Sequence, residues 1–247
     1  MIPDVAAVVW KERKAVLRQP GSRTRLLFTI GTPIGVFGLY TPLSAGPDWV
    51  RDIDSLLIAV FVPMLVAMIT TPDSFAGEKE RRTLSTLLAS RLSDRAILFG
   101  KVVFNVALAW GFALVTLLIS LIVVNVATSN GGLLMLTPLL LAADVLISFL
   151  VAVLAVSVGV VVSLRSATVQ QAQQTLAAVL FSIPLVLGPI LFLVASRWPE
   201  WGPQELLSGV DPVVALLGAT LALVALDAVF LALGMAHFRR DRLITSQ

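Results

Sequence analysis

Few residues of this 247-residue chain are of a type that could do chemistry in apolar surroundings, and they stand far apart. Asp144 and Asp227 each lie within a long apolar run, where a carboxylate is costly unless it faces water or a partner. Both are therefore candidates for an ion or substrate path. The plainer reading is that they point into a hydrated cavity or hydrogen-bond to Ser and Thr. His237 is the only histidine and neighbours Arg239 and Arg240; one imidazole makes no metal site, and an anchoring role at a membrane surface suits it better. There is no cysteine, which removes disulfides, thiolate ligands and thiol nucleophiles. No H-E-x-x-H pattern is present, and no Ser–His pairing can be read from spacing. The only Gly-Lys pair, Gly100-Lys101, precedes Val102 instead of the Ser or Thr of a phosphate-cradling loop. Catalysis, metal binding and nucleotide binding by this chain are thus not expected.

The elements that position these residues follow from hydropathy. The chain is 57% hydrophobic and 13% charged, whereas an ordinary soluble domain is about a quarter charged. This composition predicts an all-α, polytopic membrane protein. The net charge of +3 does not point to nucleic acid, because the basic residues flank apolar runs and form no stripe interleaved with aromatics. A single transmembrane domain is expected over 26–236, with spans at 26–43, 55–70, 102–126, 133–164, 176–195 and 213–236. A segment over 1–25 precedes it and a tail over 237–247 follows.

Within 1–25, Val5, Val9 and Val16 project on one side of a helix and Lys11, Lys14 and Arg18 on another, as in an interfacial helix. Glu12 interrupts the apolar side, and a disordered basic leader is the competing reading. Gly31, Gly35 and Gly38 offer a small face for helix packing in the first span. Residues 44–54 read as a polar turn with an interfacial Trp49. Asn105, Trp110 and Asn125 are placed to hydrogen-bond between helices. The fourth span exceeds the ~20 residues that a bilayer needs, so tilt, a kink near Pro138 or an extension is expected. Arg165 to Thr175 reads as a polar break with Gln at 170, 171, 173 and 174. Pro184, Gly188 and Pro189 interrupt the fifth span, and residues 197–212 suit short external or re-entrant helices. Placing the basic segments on one side collects every Lys and Arg except Arg51 and Arg197. Both termini are then cytoplasmic and the number of spans even, about six.

Only one stretch is both densely charged and patterned: Thr70 to Lys101, TTPDSFAGEKERRTLSTLLASRLSDRAILFGK. Pro72 suits a first helical turn, with Thr71 as cap and Asp73 at the positive end of the dipole. Glu78 and Arg82 stand four apart, and Leu84, Leu87 and Leu88 fall on one apolar face. Ser93 and Asp94 form a second capping signal. A short polar helix between two spans is the expectation, and the bland alternative is a loop whose charges only hold orientation.

The run from Phe75 to Ala89, followed by Ser93-Asp94-Arg95 and Gly100-Lys101, resembles the loop after the second span in membrane-spanning (permease) subunits of type-2 ATP-binding cassette (ABC) exporters. That resemblance implies a cytoplasmic coupling loop over 71–101. Its coupling helix, with Glu78, Lys79, Glu80, Arg81, Arg82, Thr83, Leu84, Leu87 and Leu88, docks on a separate ATPase subunit that holds ATP and Mg. It further implies no cofactor in this chain, a minor coupling element between the fourth and fifth spans, and a path formed as a dimer by a second copy or a paralogue. The expected location is the cell membrane, the inner membrane of a bacterium. A small hydrophobic or amphipathic cargo is favoured, since few polar groups line the spans. The rival reading is a secondary transporter with Asp144 and Asp227 as a proton or sodium relay, which needs no ATPase.

Overall fold

The computed structural model describes residues 2–18, 31–83, 91–128, 132–197 and 211–237. Among them there are seven helices and no strand. Helix α1 is Ile2–Arg18, and α2 covers 31–45, with a π-helical stretch at Ile34–Tyr40. Two 3₁₀ turns, Gly46–Val50 and Ile53–Ser55, lead into α3, Leu56–Glu80. Then come α4 (Asp94–Ala127), α5 (Pro138–Arg165), α6 (Val169–Arg197) and α7 (Pro212–His237). Helices α2 to α7 follow one another in the order expected of the six spans. Those containing residues 53–80, 94–127, 138–165 and 213–236 are, among the described residues, long and apolar enough to cross a bilayer.

The centre of the molecule is the pair α3 and α5. They run parallel and in register: Ser55 is beside Asp144, Thr71 is against Gly159 and Ala76 is against Ser163. A Cβ on Gly159 would lie 2.8 Å from Thr71 Cγ2, so this close approach needs glycine. About 61% of the most apolar stretch of α5 is buried inside the protein, against 6% for α7. Hence α5 is the core and α7 rides on its outside. Helix α4 runs back across both, joined by Asn105 to Ser74 at 2.9 Å and by Trp110 to the Val145 carbonyl at 3.2 Å. Asn125 closes its far end on Leu134, accepting from the backbone N–H at 2.7 Å and donating to the carbonyl at 2.8 Å. A stacked run of Phe37, Phe61 and Phe181 ties α2, α3 and α6 together.

Several elements differ from the sequence expectation. Helix α3 does not stop before Thr71; it continues through Pro63 and Pro72 to Glu80, so no new helix begins at Pro72. Proline leaves a rung without its N–H. A hydroxyl from the neighbouring helix bridges the next rung: Ser163 Oγ donates to the Pro72 carbonyl (3.0 Å) and accepts from the Ala76 N–H (2.9 Å). Thr71 is no cap but is fully buried against Gly159. Pro138 is the first residue of α5, after Thr137 as N-cap, and so produces no kink. Helix α6 starts at Val169 and runs through Pro184 and Pro189, so the glutamine-rich stretch is helical and the break shrinks to 166–168. Trp49 is wholly buried in the core instead of resting at an interface. Gly38 packs on Thr116 and Ile119 of α4, whereas Gly31 and Gly35 face open space.

Candidate functional site

The charged residues converge where α3 ends and α4 begins. Ser93 caps α4 by accepting from the Ala96 N–H at 3.3 Å, as its place before Asp94 predicts. One turn on, Gly100 lets α1 approach: a Cβ there would lie 2.6 Å from Val8 Cβ. That contact sets Glu12 of α1 over Lys101. The Lys101 side chain is fully buried, with Nζ 2.8 Å from Glu12, 3.0 Å from Glu78 and 2.6 Å from the Ser74 carbonyl. The Phe75 ring lies 5.0 Å away, within cation–π range. Lys11 completes a neutral quartet by donating to Glu78. Glu12, which breaks the apolar face of α1 in sequence, is thus a buried counter-ion on that face.

Glu78 faces this quartet and not Arg82, contrary to the i,i+4 expectation. Helix α3 ends at Glu80, with the Arg82 N–H on the Lys79 carbonyl at 2.9 Å and the Thr83 N–H on the Glu78 carbonyl at 2.9 Å. This double closure is a Schellman motif, and it puts Arg82 in the left-handed region at φ 55°. Arg82 is off the helix and cannot support Glu78. Arg81 instead reaches back to Asp73 at 3.3 Å.

The next two residues grip the other half of the bundle. Lys79 Nζ donates to the Leu164 carbonyl, with the Ser166 carbonyl at 3.5 Å, at the end of α5. Glu80 Oε2 accepts from the Val169 N–H at 3.1 Å, at the start of α6. Each charge has the sign favoured by the helix end it meets. The turn between α5 and α6 is held by its own caps: Thr168 Oγ1 accepts from the Gln171 N–H at 3.2 Å, and Gln171 accepts from the Ala167 N–H at 3.0 Å. The Thr168-x-x-Gln171 spacing is a capping-box signal that the sequence reading passed over.

Leu84, Leu87 and Leu88 lie outside the described residues, as do Arg239 and Arg240. Asp144 and Asp227 are buried, at 2% and 6% exposure, but they are not brought together. Asp144 is on α5 beside Ser55. Asp227 is on α7, whose Gly234 meets Val160 of α5.

These features sit in a sequence that matches the family model described as ABC-2 family transporter protein over residues 11–243. The chain belongs to the ABC-2 transporter family. It is also similar to the ABC transporter permease protein NatB of Bacillus subtilis (strain 168), at 26% identity over 223 residues, covering 79% of this chain and 56% of that protein. The chain thus spans little more than half the length of this curated relative. As an ABC-2 permease subunit it is a multi-pass membrane protein, and its family role is to form a membrane part of an ABC system, not to catalyse.

Proposed function

We propose that this permease works in an exporter, enclosing the translocation path as a dimer with a second copy or a paralogue. Separate ATPase subunits, carrying ATP and Mg, drive it. They dock on the segment that leaves α3 at Arg81, and both termini lie on that same, cytoplasmic side of a bacterial inner membrane. One observation carries the reading: Glu80, Arg81, Arg82 and Thr83 are exposed at the lip of a junction where α1, α3, α4, α5 and α6 all meet. A push there reaches five helices at once. The exposed residues are suited to docking, while Glu78 and Lys79 serve the inside.

Charge reversal of the exposed pair, Arg81→Glu with Arg82→Glu, tests this. The permease should remain folded in detergent and lose its co-purifying ATPase by at least ~10-fold, as expected for removing charge-assisted contacts. An undiminished complex overturns the docking assignment. The secondary-transporter reading gains no support from the site, since its two carboxylates lie on different helices, α5 and α7, and neither belongs to the charged junction.

A further inference from the structure

Three consecutive side chains at the end of α3 hold three different parts of the molecule. Glu78 meets Lys101 of α4 at 3.0 Å and accepts from Lys11 of α1; Lys79 holds the carbonyl end of α5; Glu80 holds the amide end of α6. A helical tripeptide fans its side chains about 100° apart, so consecutive residues point to different neighbours. The partners of Lys79 and Glu80 are the end of one helix and the start of the next, the places where four unsatisfied backbone groups make a helix most responsive to charge, whereas those of Glu78 are lysine side chains within α4 and α1. The Glu78 arm is buried, with the fully buried Lys101 on one side and the partly exposed Lys11 on the other, while the Glu80 arm is exposed. Immediately after the third residue the chain leaves the helix through a left-handed Arg82, so any displacement of the following segment is applied at this tripeptide.

We propose that Glu78, Lys79 and Glu80 form a three-armed clasp that divides an incoming movement between two helix pairs flanking α3, α1 with α4 on one side and α5 with α6 on the other. These are positioning residues: they touch neither cargo nor nucleotide. The proposal rests on the docking reading above for the origin of the movement, but the clasp itself is internal to this chain and can be read without any partner. Its two sides are independent. Lys79 and Glu80 govern the α5–α6 turn, and Glu78 with Lys101 governs α1.

The chain has no cysteine, so paired spin labels can be placed at will on the full-length protein in nanodiscs. One pair, Thr83→Cys with Ala167→Cys, reads the α5–α6 arm; the other, Thr83→Cys with Arg13→Cys, reads the α1 arm. Lys79→Met and Glu80→Ala should broaden the distance distribution of the first pair and leave the second unchanged. Glu80→Gln, which keeps an acceptor for the Val169 N–H, should restore the narrow distribution. Glu78→Gln combined with Lys101→Met, which removes one charge of each sign, should broaden the second pair alone. In the complex with ATPase, Lys79→Met and Glu80→Ala should lower transport per ATP hydrolysed by at least ~10-fold, comparable to the loss of one charge-assisted hydrogen bond. Unchanged distributions, equal broadening of both pairs, or full transport per ATP in the broadened variants each overturn the clasp. If no ATPase binds the unmodified chain, the docking reading falls, and the label distances on the isolated chain still decide the clasp.

Discussion

Lys101 holds a full positive charge at zero solvent exposure, which is tolerable only because two carboxylates and a carbonyl surround it. Removing one partner of such a cluster leaves a buried charge uncompensated. Lys101→Met should therefore destabilise the protein by about 3 kcal/mol, read as thermal unfolding in detergent. Lys11 meets the same Glu78 but its side chain is 44% exposed; solvent screens it, so Lys11→Met should cost at most about 1 kcal/mol. Equal losses at the two positions would mean that burial is not what sets the energy. Arg82 poses the opposite case. Its left-handed backbone strains a residue with a Cβ by about 1 kcal/mol, and Arg82→Gly should recover part of that while leaving the Schellman closure in place. Stability should rise slightly. ATPase binding should fall, because the guanidinium is lost from the docking lip.

At the scale of elements, the helices were legible where the deciding group is local. Ser93 lies three residues from the N–H that it caps; Thr137 caps α5 in the same local way, although the sequence reading starts that span at 133 and allows a kink near Pro138. Where the deciding group is distant, reading failed. Pro72 ends a helix by every local rule, yet α3 runs on through it, with Ser163, 91 residues away, bridging the rung from the Pro72 carbonyl to the Ala76 N–H. Ser163→Ala should leave the Pro72 turn without that support and cost about 1–3 kcal/mol. An unchanged melting temperature would show that the turn closes by itself. Glu12 was likewise read as a blemish on an apolar face because Lys101 is 89 residues off. The glycines sort by the same principle: their spacing is visible in sequence, but whether a helix lies opposite is not. Gly100→Ala should force α1 away from α4, since its Cβ would fall 2.6 Å from that of Val8, and cost about 1–3 kcal/mol. Protease cleavage within α1 should rise with it. Gly31→Ala, facing open space, should do neither in the isolated chain.

For the whole molecule, the decisive question is where the energy enters. Helices α3, α4 and α5 form one packed body with an internal charge lock at one end and a buried carboxylate, Asp144, toward the other. Helix α7 touches that body mainly through α5 and leaves most of its apolar surface open. In such a frame the lock joins α1, α3 and α4 directly, and Lys79 and Glu80 beside it reach α5 and α6. Asp144 and Asp227 stand on separate helices, α5 and α7, whereas a push at the lock needs only helices already in contact. Proteoliposomes containing the permease alone, given a proton or sodium gradient, should therefore show no transport. Adding the ATPase with ATP and Mg should start it. Asp144→Asn and Asp227→Asn should reduce the ATP-driven rate only as far as they reduce assembly. Gradient-driven transport by the permease alone, abolished by either substitution, would move the energy source to the carboxylates and leave the charged junction a structural fastening.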